Sequence, residues 1–291
     1  MKYVIITPAR DEESNIERTI QSVLAQTILP HTWVIVNDGS RDRTGEILDR
    51  YAKQFSWIKP VHRADRGVRK SGGGVIEAFQ DGYALLDAPD WDFIVKLDGD
   101  LSFAMDYFEK CFDRFSRDDR LGIGGGTICH IANGQRVNEG TGDPVFHVRG
   151  ATKIYRRACW DAIGGLVPMT GWDTIDEMKA NMLGWRTHTF RDLFLVQHRF
   201  TGAADGSWRN SVKNGRANYI TGYHPLFMLL KCVKRVPGTP LFIDAAGLFW
   251  GYFGSCFKRL PRVGDHDLIT YVRRQQIQRL LLKPSLYGGG N

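Results

Sequence analysis

Three short apolar runs, Tyr3 to Thr7, Trp33 to Asn37 and Asp92 to Leu97, are separated by helix-patterned segments. That alternation argues for right-handed βαβ units and a mainly parallel sheet covered on both faces. Ser14-Asn15-Ile16-Glu17 matches a capping box, and Ile16, Ile20, Val23 and Leu24 form the apolar stripe of a first helix. Ile47, Leu48, Tyr51 and Phe55 do the same for a second, roughly Thr44 to Phe55. Ile58 to His62 reads as a weaker strand, and Val75 to Leu86 as a third helix behind the basic, glycine-rich segment Arg63 to Gly74. Asp38-Gly39-Ser40 and Asp98-Gly99-Asp100 thus fall just past the C-terminal ends of strands. In an open α/β sheet that is where ligands bind.

Beyond a helix over Asp106 to Arg117 the pattern changes. Ile123 to Cys129 reads as a strand interrupted by Gly124-Gly125-Gly126, and the polar stretch Ile131 to Gly150 as a mobile loop. Ala158 to Ile163 and Ile175 to Met182 read as helices, Arg186 to His198 as a pair of strands. The cysteines, Cys111, Cys129, Cys159, Cys232 and Cys256, are odd in number and widely spaced without a CxxC pair. Neither a disulfide framework nor a structural zinc site is expected, and a reducing compartment fits. The first apolar run is too short for a signal peptide and meets Arg10-Asp11-Glu12-Glu13 at once, so it reads as the first strand of a cytoplasmic protein.

The two acidic turns carry the chemistry. Asp98 and Asp100, separated by one glycine at a strand end, can both face a cleft, and hard oxygen ligands suit a Mg2+ or Mn2+ ion that also bridges a diphosphate. An aspartate placed like Asp38 can accept hydrogen bonds from a base N–H or a ribose hydroxyl. The alternative for each is an ordinary acidic turn, with Ser40 capping the following helix.

Taken together, Thr7-Pro8-Ala9-Arg10-Asp11-Glu12-Glu13, Asn37-Asp38-Gly39-Ser40-Arg41-Asp42 and Leu97-Asp98-Gly99-Asp100 look like the family-2 glycosyltransferases of the GT-A fold. Gly74 to Phe79 and Asp98-Gly99-Asp100-Leu101-Ser102 are also similar to the polyprenyl-phosphate sugar synthase branch. The resemblance covers roughly residues 1–200. It implies a GT-A-type, Rossmann-like mixed sheet, mainly parallel and flanked by helices, and inverting sugar transfer from a UDP- or GDP-type sugar with a divalent cation. The acceptor it implies is a lipid-linked or growing glycan. Carried over residue by residue, Pro8, Arg10 and Glu12 border the nucleotide, Asp38 contacts the base, and Asp98 and Asp100 lie at ribose, metal and diphosphate. Lys70 lies in the basic loop that takes the place of the family's loop before the third helix, a good phosphate environment, with a merely solvated basic loop as the alternative.

An inverting transferase needs a carboxylate to take the acceptor proton across the sugar from the diphosphate. Gly171-Trp172-Asp173-Thr174-Ile175-Asp176-Glu177 lies where the family carries its Glu-Asp motif, but Trp172 stands in place of the glutamate. Asp173 and Asp176, at i and i+3, share a helix face, and both stay candidates for the base, with Glu177 a remote third. His198 would approach the metal, and Arg156 and Trp172 the acceptor; a core tryptophan and a structural histidine are the plainer alternatives.

The formal net charge of +7 is unevenly spread: Arg199 to Asn291 holds 14 Lys and Arg against 4 Asp and Glu, residues 1–198 hold 25 against 28. The basic character belongs to a helical C-terminal extension, 201–291, following the catalytic region 1–200. Apolar segments there, Pro225 to Leu230 and Ala245 to Phe257, are bordered by Lys/Arg, which suits peripheral attachment to an anionic membrane surface. A buried helical hairpin with a solvated basic rim accounts for the same residues. Val272 to Leu282 reads as an amphipathic helix or a homo-oligomer contact. No recognised nucleic-acid module accompanies the charge, so nucleic acid is not an expected partner. Two other classes compete. A sugar-phosphate nucleotidyltransferase normally has a glycine- and arginine-rich phosphate loop after the first strand, and Pro8-Ala9-Arg10-Asp11-Glu12 stands there instead. A non-catalytic nucleotide-sugar or membrane-binding protein differs only in lacking turnover.

Overall fold

The computed structural model describes residues 1–65, 67, 73–86, 90–140, 142–199, 206–236 and 242–288. Its first half alternates as β1 (Tyr3–Ala9), α1 (Ile16–Leu24), β2 (Thr32–Asn37), α2 (Thr44–Ala52), β3 (Ile58–His62), α3 (Gly74–Ala84) and β4 (Phe93–Leu97). Next come β5 (Leu101–Phe103), α4 (Tyr107–Ser116), β6 (Leu121–Ala132), β7 (Gln135–Asn138), β8 (Thr152–Arg156), α5 (Arg157–Ile163), α6 (Trp172–Met182) and β9 (Arg186–Gln197). One sheet holds all nine strands in the order β3-β2-β1-β4-β8-β6-β9-β5, with β7 beside β6. The four strands from β3 to β4 are parallel, and β8 returns antiparallel to β4.

The near-continuous apolar runs of β1 and β2 follow from burial on both faces. Tyr3, Ile5, Trp33 and Ile35 point into one core with α1, α2 and α4; Val4, Ile6, Val34 and Val36 point into another with Ile76 and Phe79 of α3. The capping box is not made. Asn15 and Ile16 give their amides to the Glu12 carbonyl (2.9 and 2.8 Å), and Glu17 turns away to Arg50 and the Tyr51 hydroxyl, both at 2.7 Å.

The three glycines do not interrupt β6; they let it pass close to its neighbours. A Cβ on Gly125 would lie 2.6 Å from the Thr152 carbonyl oxygen. The expected mobile loop is organised too. Asn133 and Gly134, both at positive φ (51° and 74°), turn the chain back as a hairpin into β7. Farther on, the Val148 amide donates to Glu177 at 2.7 Å. The expected strand pair over 186–198 is one strand, β9, with a register shift opposite Gly126 and Thr127. All five cysteines are free.

The C-terminal region is helical: α7 (Gly206–Ile220), α8 (Pro225–Lys234), α9 (Ile243–Phe257) and α10 (His266–Leu280). These helices share a core with α6, in which Ile175 and Met178 meet Tyr219, Met228, Leu248 and Leu268. Among the described residues no helix is long and apolar enough to cross a membrane.

Candidate active site

Parallel pairing puts Ala9 opposite Asn37, so the loops leaving β1 and β2 run side by side. Asp38 donates its amide to Ala9 O at 2.8 Å, and Arg63 holds its Oδ1 at 2.7 Å while also reaching Asp81 at 2.9 Å. Gly39, at φ 68°, passes so close to Asp65 that a Cβ would sit 2.5 Å from the Asp65 Cα. Asp65 in turn binds Arg10 (2.8 Å) and Arg41 (2.7 Å). Arg10 keeps a buried Nη1 without a partner among the described residues, a donor left for something the fold does not supply. Pro8, Arg10, Glu12 and Asp38 therefore gather at one end of the sheet. Lys70 lies outside the described residues.

The acidic turn after β4 shares that end. Asp98, partly exposed, is held by the buried Lys96 ammonium, which also donates to Gly150 O at 2.5 Å. Asp100 is 4% exposed; its Oδ2 accepts from Gln197 at 3.0 Å, while Oδ1 is buried without a partner among the described residues. Burial, then the Asp98 charge, pushes the Asp100 carboxyl from 3.8 up to about 6. Glu12 adds a third acid in electrostatic reach: burial raises it to about 7 despite Asn15 and Arg199, the latter at 2.8 Å. No group of three or more His, Cys, Asp and Glu side chains forms a cation cage among the described residues. A Mg2+-like ion held by one or two carboxylates plus substrate phosphates needs none, and an orphaned buried oxygen beside a second carboxylate fits it.

The helix α6 begins at Trp172, earlier than its apolar spacing suggests, because Gly171 takes a left-handed conformation (φ 87°) that releases the chain into the first turn. Asp173 is thereby a partly exposed first-turn residue, and its carboxylate makes no hydrogen bond or ion pair among the described residues. It lies next to the acidic turn: a Cβ on Gly150 would sit 3.4 Å from the Asp173 Cβ, and Gly150 is bonded to Lys96. Asp176, one turn on, is 3% exposed. Lys153 donates to both its oxygens (2.9 and 3.0 Å) and the Tyr155 hydroxyl to Oδ2 (2.6 Å). Glu177 is buried beside it, bound by Lys153 at 2.8 Å and by His147 Nδ1 at 2.9 Å. Burial opposes charge on His147, but the Glu177 carboxylate prevails and raises its pKa to about 9. Of the two candidate bases only Asp173 is open to an acceptor; Asp176 is a buried counter-ion.

Other expected positions differ. Arg156 pairs with Phe93, at the opposite end of β4 from Leu97, and clamps the carbonyls of Leu121 and Phe115 (3.0 and 2.5 Å). It stands at the end of the sheet opposite the acidic turn because β8 runs antiparallel to β4. Trp172, only 7% exposed, packs over the ammonium groups of Lys96 and Lys153 (5.3 and 5.5 Å to the ring) rather than opening to a sugar. His198 joins the turn through its backbone, donating to Asp100 O at 2.8 Å, but its exposed ring bonds Ser102 at 2.8 Å.

Motif reading missed Lys96, Lys153, Gln197 and Arg199. The two lysines carried a signal, a lone cation inside Phe93-Ile94-Val95-Lys96-Leu97 and inside Thr152-Lys153-Ile154-Tyr155. A buried lysine needs a carboxylate beside it.

The sequence signature "Glycosyl transferase family 2" matches residues 4–169, more than half of the chain. The chain is similar to the uncharacterized glycosyltransferase EpsJ of Bacillus subtilis (strain 168), with 36% identity over 88 residues, 30% of this chain and 26% of that protein. It is also similar to the uncharacterized glycosyltransferase YibD of Escherichia coli (strain K12), with 29% identity over 90 residues, 31% and 26% of the two chains. These matches span about a quarter of the relatives' length. In fold it resembles S. aureus TarS 1-349 in complex with UDP-GlcNAc, with TM-score 0.54, 15% identity and 96% and 81% of the two chains covered. It likewise resembles the mannosyltransferase PcManGT from Pyrobaculum calidifontis in complex with GDP-Man and Mn2+, with TM-score 0.54, 16% identity and 96% and 80% covered. The shared architecture is a mainly parallel sheet flanked by helices, the GT-A arrangement.

Proposed function

The chain belongs to glycosyl transferase family 2, and from that premise we propose that it is an inverting glycosyltransferase using a nucleoside-diphosphate sugar. The observation that carries the reading is the shared cleft end of β1, β2, β4 and α6. Asp38 leaves β2 beside Ala9 there, the pair Asp98 and Asp100 follows β4, and Asp173, without a hydrogen bond or ion pair among the described residues, is joined to Asp98 through Lys96 and Gly150. The complexes of TarS with UDP-GlcNAc and of PcManGT with GDP-Man and Mn2+ support a donor of this class and a divalent ion.

Asp98 and Asp100 would hold the cation, Mg2+ or Mn2+, and the ion would supply charge neutralisation for the departing diphosphate. Arg10, with its free donor, and Arg63, through Asp38, orient the nucleotide end. Asp173 accepts the proton of the acceptor hydroxyl as that oxygen bonds to the anomeric carbon and the nucleoside diphosphate leaves from the opposite face. The acceptor is a lipid-linked or growing glycan. A polyprenyl phosphate acceptor is the second reading: its oxygen is already ionised and needs no base, so Asp173 would then be dispensable.

A thermal-shift screen of UDP- and GDP-sugars with and without Mn2+, followed by donor hydrolysis, tests this. A metal-dependent rise in melting temperature for one donor, with slow hydrolysis lost in Asp100→Asn, is expected. Binding without hydrolysis or transfer would reduce the protein to a nucleotide-sugar binder, and no response to any donor would overturn the reading.

A further inference from the structure

Twenty large apolar side chains stand exposed among the described residues, and twelve of them lie beyond residue 199. They are not scattered. On α8, Leu226, Leu229, Leu230 and Val233 recur at i, i+3, i+4 and i+7, one helix face, and each is exposed. On α9, Ile243, Phe249, Trp250 and Phe257 make a second outward face, Trp250 65% and Phe257 91% exposed. The only charged residue of α9, Asp244, turns inward to accept from Ser207 and Ser211 of α7 (2.6 and 2.8 Å). The two helices touch one another, so the faces belong to neighbouring elements. Each ends in exposed cations, Lys234 and Arg235 after α8, Lys258 and Arg259 after α9.

Uncharged apolar faces closed by paired cations, in a region of strongly positive charge, are complementary to one surface: an acidic phospholipid headgroup layer over hydrocarbon. A 15-residue helix is about 22 Å long, short of the roughly 30 Å needed to span. We propose that the α8–α9 face docks in the plane of an anionic lipid bilayer, with Trp250 and Phe257 entering the acyl boundary and Lys234, Arg235, Lys258 and Arg259 meeting the phosphates.

The face is joined to the cleft by close packing. The α7 and α9 backbones meet at glycine, where a Cβ on Gly251 would lie 2.1 Å from Val212 O and one on Gly215 2.2 Å from Leu248 O. Gly171, which starts α6, has Thr221 Oγ1 and Ala217 O at 3.0 and 3.2 Å from its own Cβ position. Docking therefore sets the height of Asp173 above the lipid, which suits an acceptor presented from the membrane. That last consequence rests on the transferase reading; docking itself does not.

The test is co-sedimentation of the full chain with phosphatidylcholine vesicles, with and without phosphatidylglycerol, at low and high salt. Binding about tenfold tighter to the anionic vesicles at low salt is expected. Trp250→Ser with Phe257→Ser weakens binding about tenfold or more at both salts, and Lys258→Glu with Arg259→Glu removes the low-salt preference. Brominated acyl chains quench the tryptophan fluorescence of the unaltered protein, a readout that needs no variant. Failure to bind anionic vesicles, or variants that bind undiminished, overturns the proposal. So does a dimer in light scattering that Trp250→Ser and Phe257→Ser dissociate, since the face would then belong to a second copy. Donor-induced thermal shift without vesicles is unchanged in these variants; if the unaltered protein lacks it while still binding lipid, the transferase reading fails and the docking stands.

Discussion

Replacing Asp100 by asparagine is expected to stabilise the metal-free protein while abolishing its turnover. The folded chain holds this carboxylate 4% exposed, one oxygen bonded to Gln197 and the other without a partner among the described residues. Burial and the neighbouring Asp98 charge raise its pKa from 3.8 to about 6, so folding takes up a proton over that interval. The group's contribution is intact below pH 3.8 and lost as pH rises through about 6. At 1.36 kcal/mol per unit, the ionised side chain costs at most about 3 kcal/mol at pH 8. Asparagine removes the charge and can keep the Gln197 bond, but brings an amide into the place of the unpartnered oxygen, returning about 1 kcal/mol or more. The net expectation is a gain of about 1–2 kcal/mol.

Urea unfolding in EDTA at about pH 8 and about pH 4 measures it. The gap between variant and unaltered protein closes, or reverses slightly, at the acid end, where both side chains are neutral. Adding Mn2+ raises the stability of the unaltered protein by about 2.7 kcal/mol at a hundredfold excess over its Kd, and leaves the variant nearly unmoved. An Asp100→Asn variant less stable than the unaltered protein at about pH 8, or a difference that ignores pH, would refute the claim that Asp100 is a strained, ligand-awaiting acid.

Three further outcomes follow from the same geometry. Asp173→Asn lowers transfer to a hydroxyl acceptor by about 10²–10⁴-fold while donor affinity and urea stability stay within about 0.5 kcal/mol, because the carboxylate makes no hydrogen bond or ion pair among the described residues; calorimetry beside the transfer assay checks this. Lys153→Met leaves Asp176 and Glu177 buried without their shared cation and costs about 3–5 kcal/mol in urea unfolding. Adding Asp176→Asn recovers part of that loss, and strictly additive effects would contradict a coupled cluster. His147, raised from 6.5 to about 9 against Glu177, contributes stability that is complete below pH 6.5 and lost as pH climbs through 9, about 3 kcal/mol. His147→Gln flattens the unfolding free energy over that range, and an unchanged profile would place the proton elsewhere.

What could be read before the fold was known is what depends on neighbours in the chain. Short apolar runs located β1, β2 and β4 and helical patterns located α1 to α4, each within a few residues, and the acidic glycine turns at Asp38 and at Asp98 and Asp100 do follow β2 and β4. Nothing local in the chain says that β8 runs antiparallel to β4, which carries Arg156 to the end of the sheet away from Asp98 and Asp100. Ser14 and Glu17 match a capping box in the chain but do not make one, because remote partners, Arg50 and the Tyr51 hydroxyl, hold the Glu17 carboxylate.

The choice between Asp173 and Asp176 shows the same limit in the site itself. Three residues apart on a helix, the two acids share a face, and helix geometry gives no reason to prefer either. The strand beneath decides. Register puts Lys96 of β4 directly opposite Lys153 of β8, two buried cations side by side under Trp172. Lys153 takes Asp176 and the Asp173 carbonyl oxygen, fixing the first turn while leaving the Asp173 carboxylate outside the network. Lys96 takes Asp98 and Gly150, bringing the acidic turn after β4 against that same first turn. A neutral pair there would take the cation from both Asp98 and Asp176. The lysines thus bind two of four nearby acids, Asp98 and Asp176, and leave Asp100 with an unpartnered oxygen and Asp173 without a hydrogen bond or ion pair among the described residues.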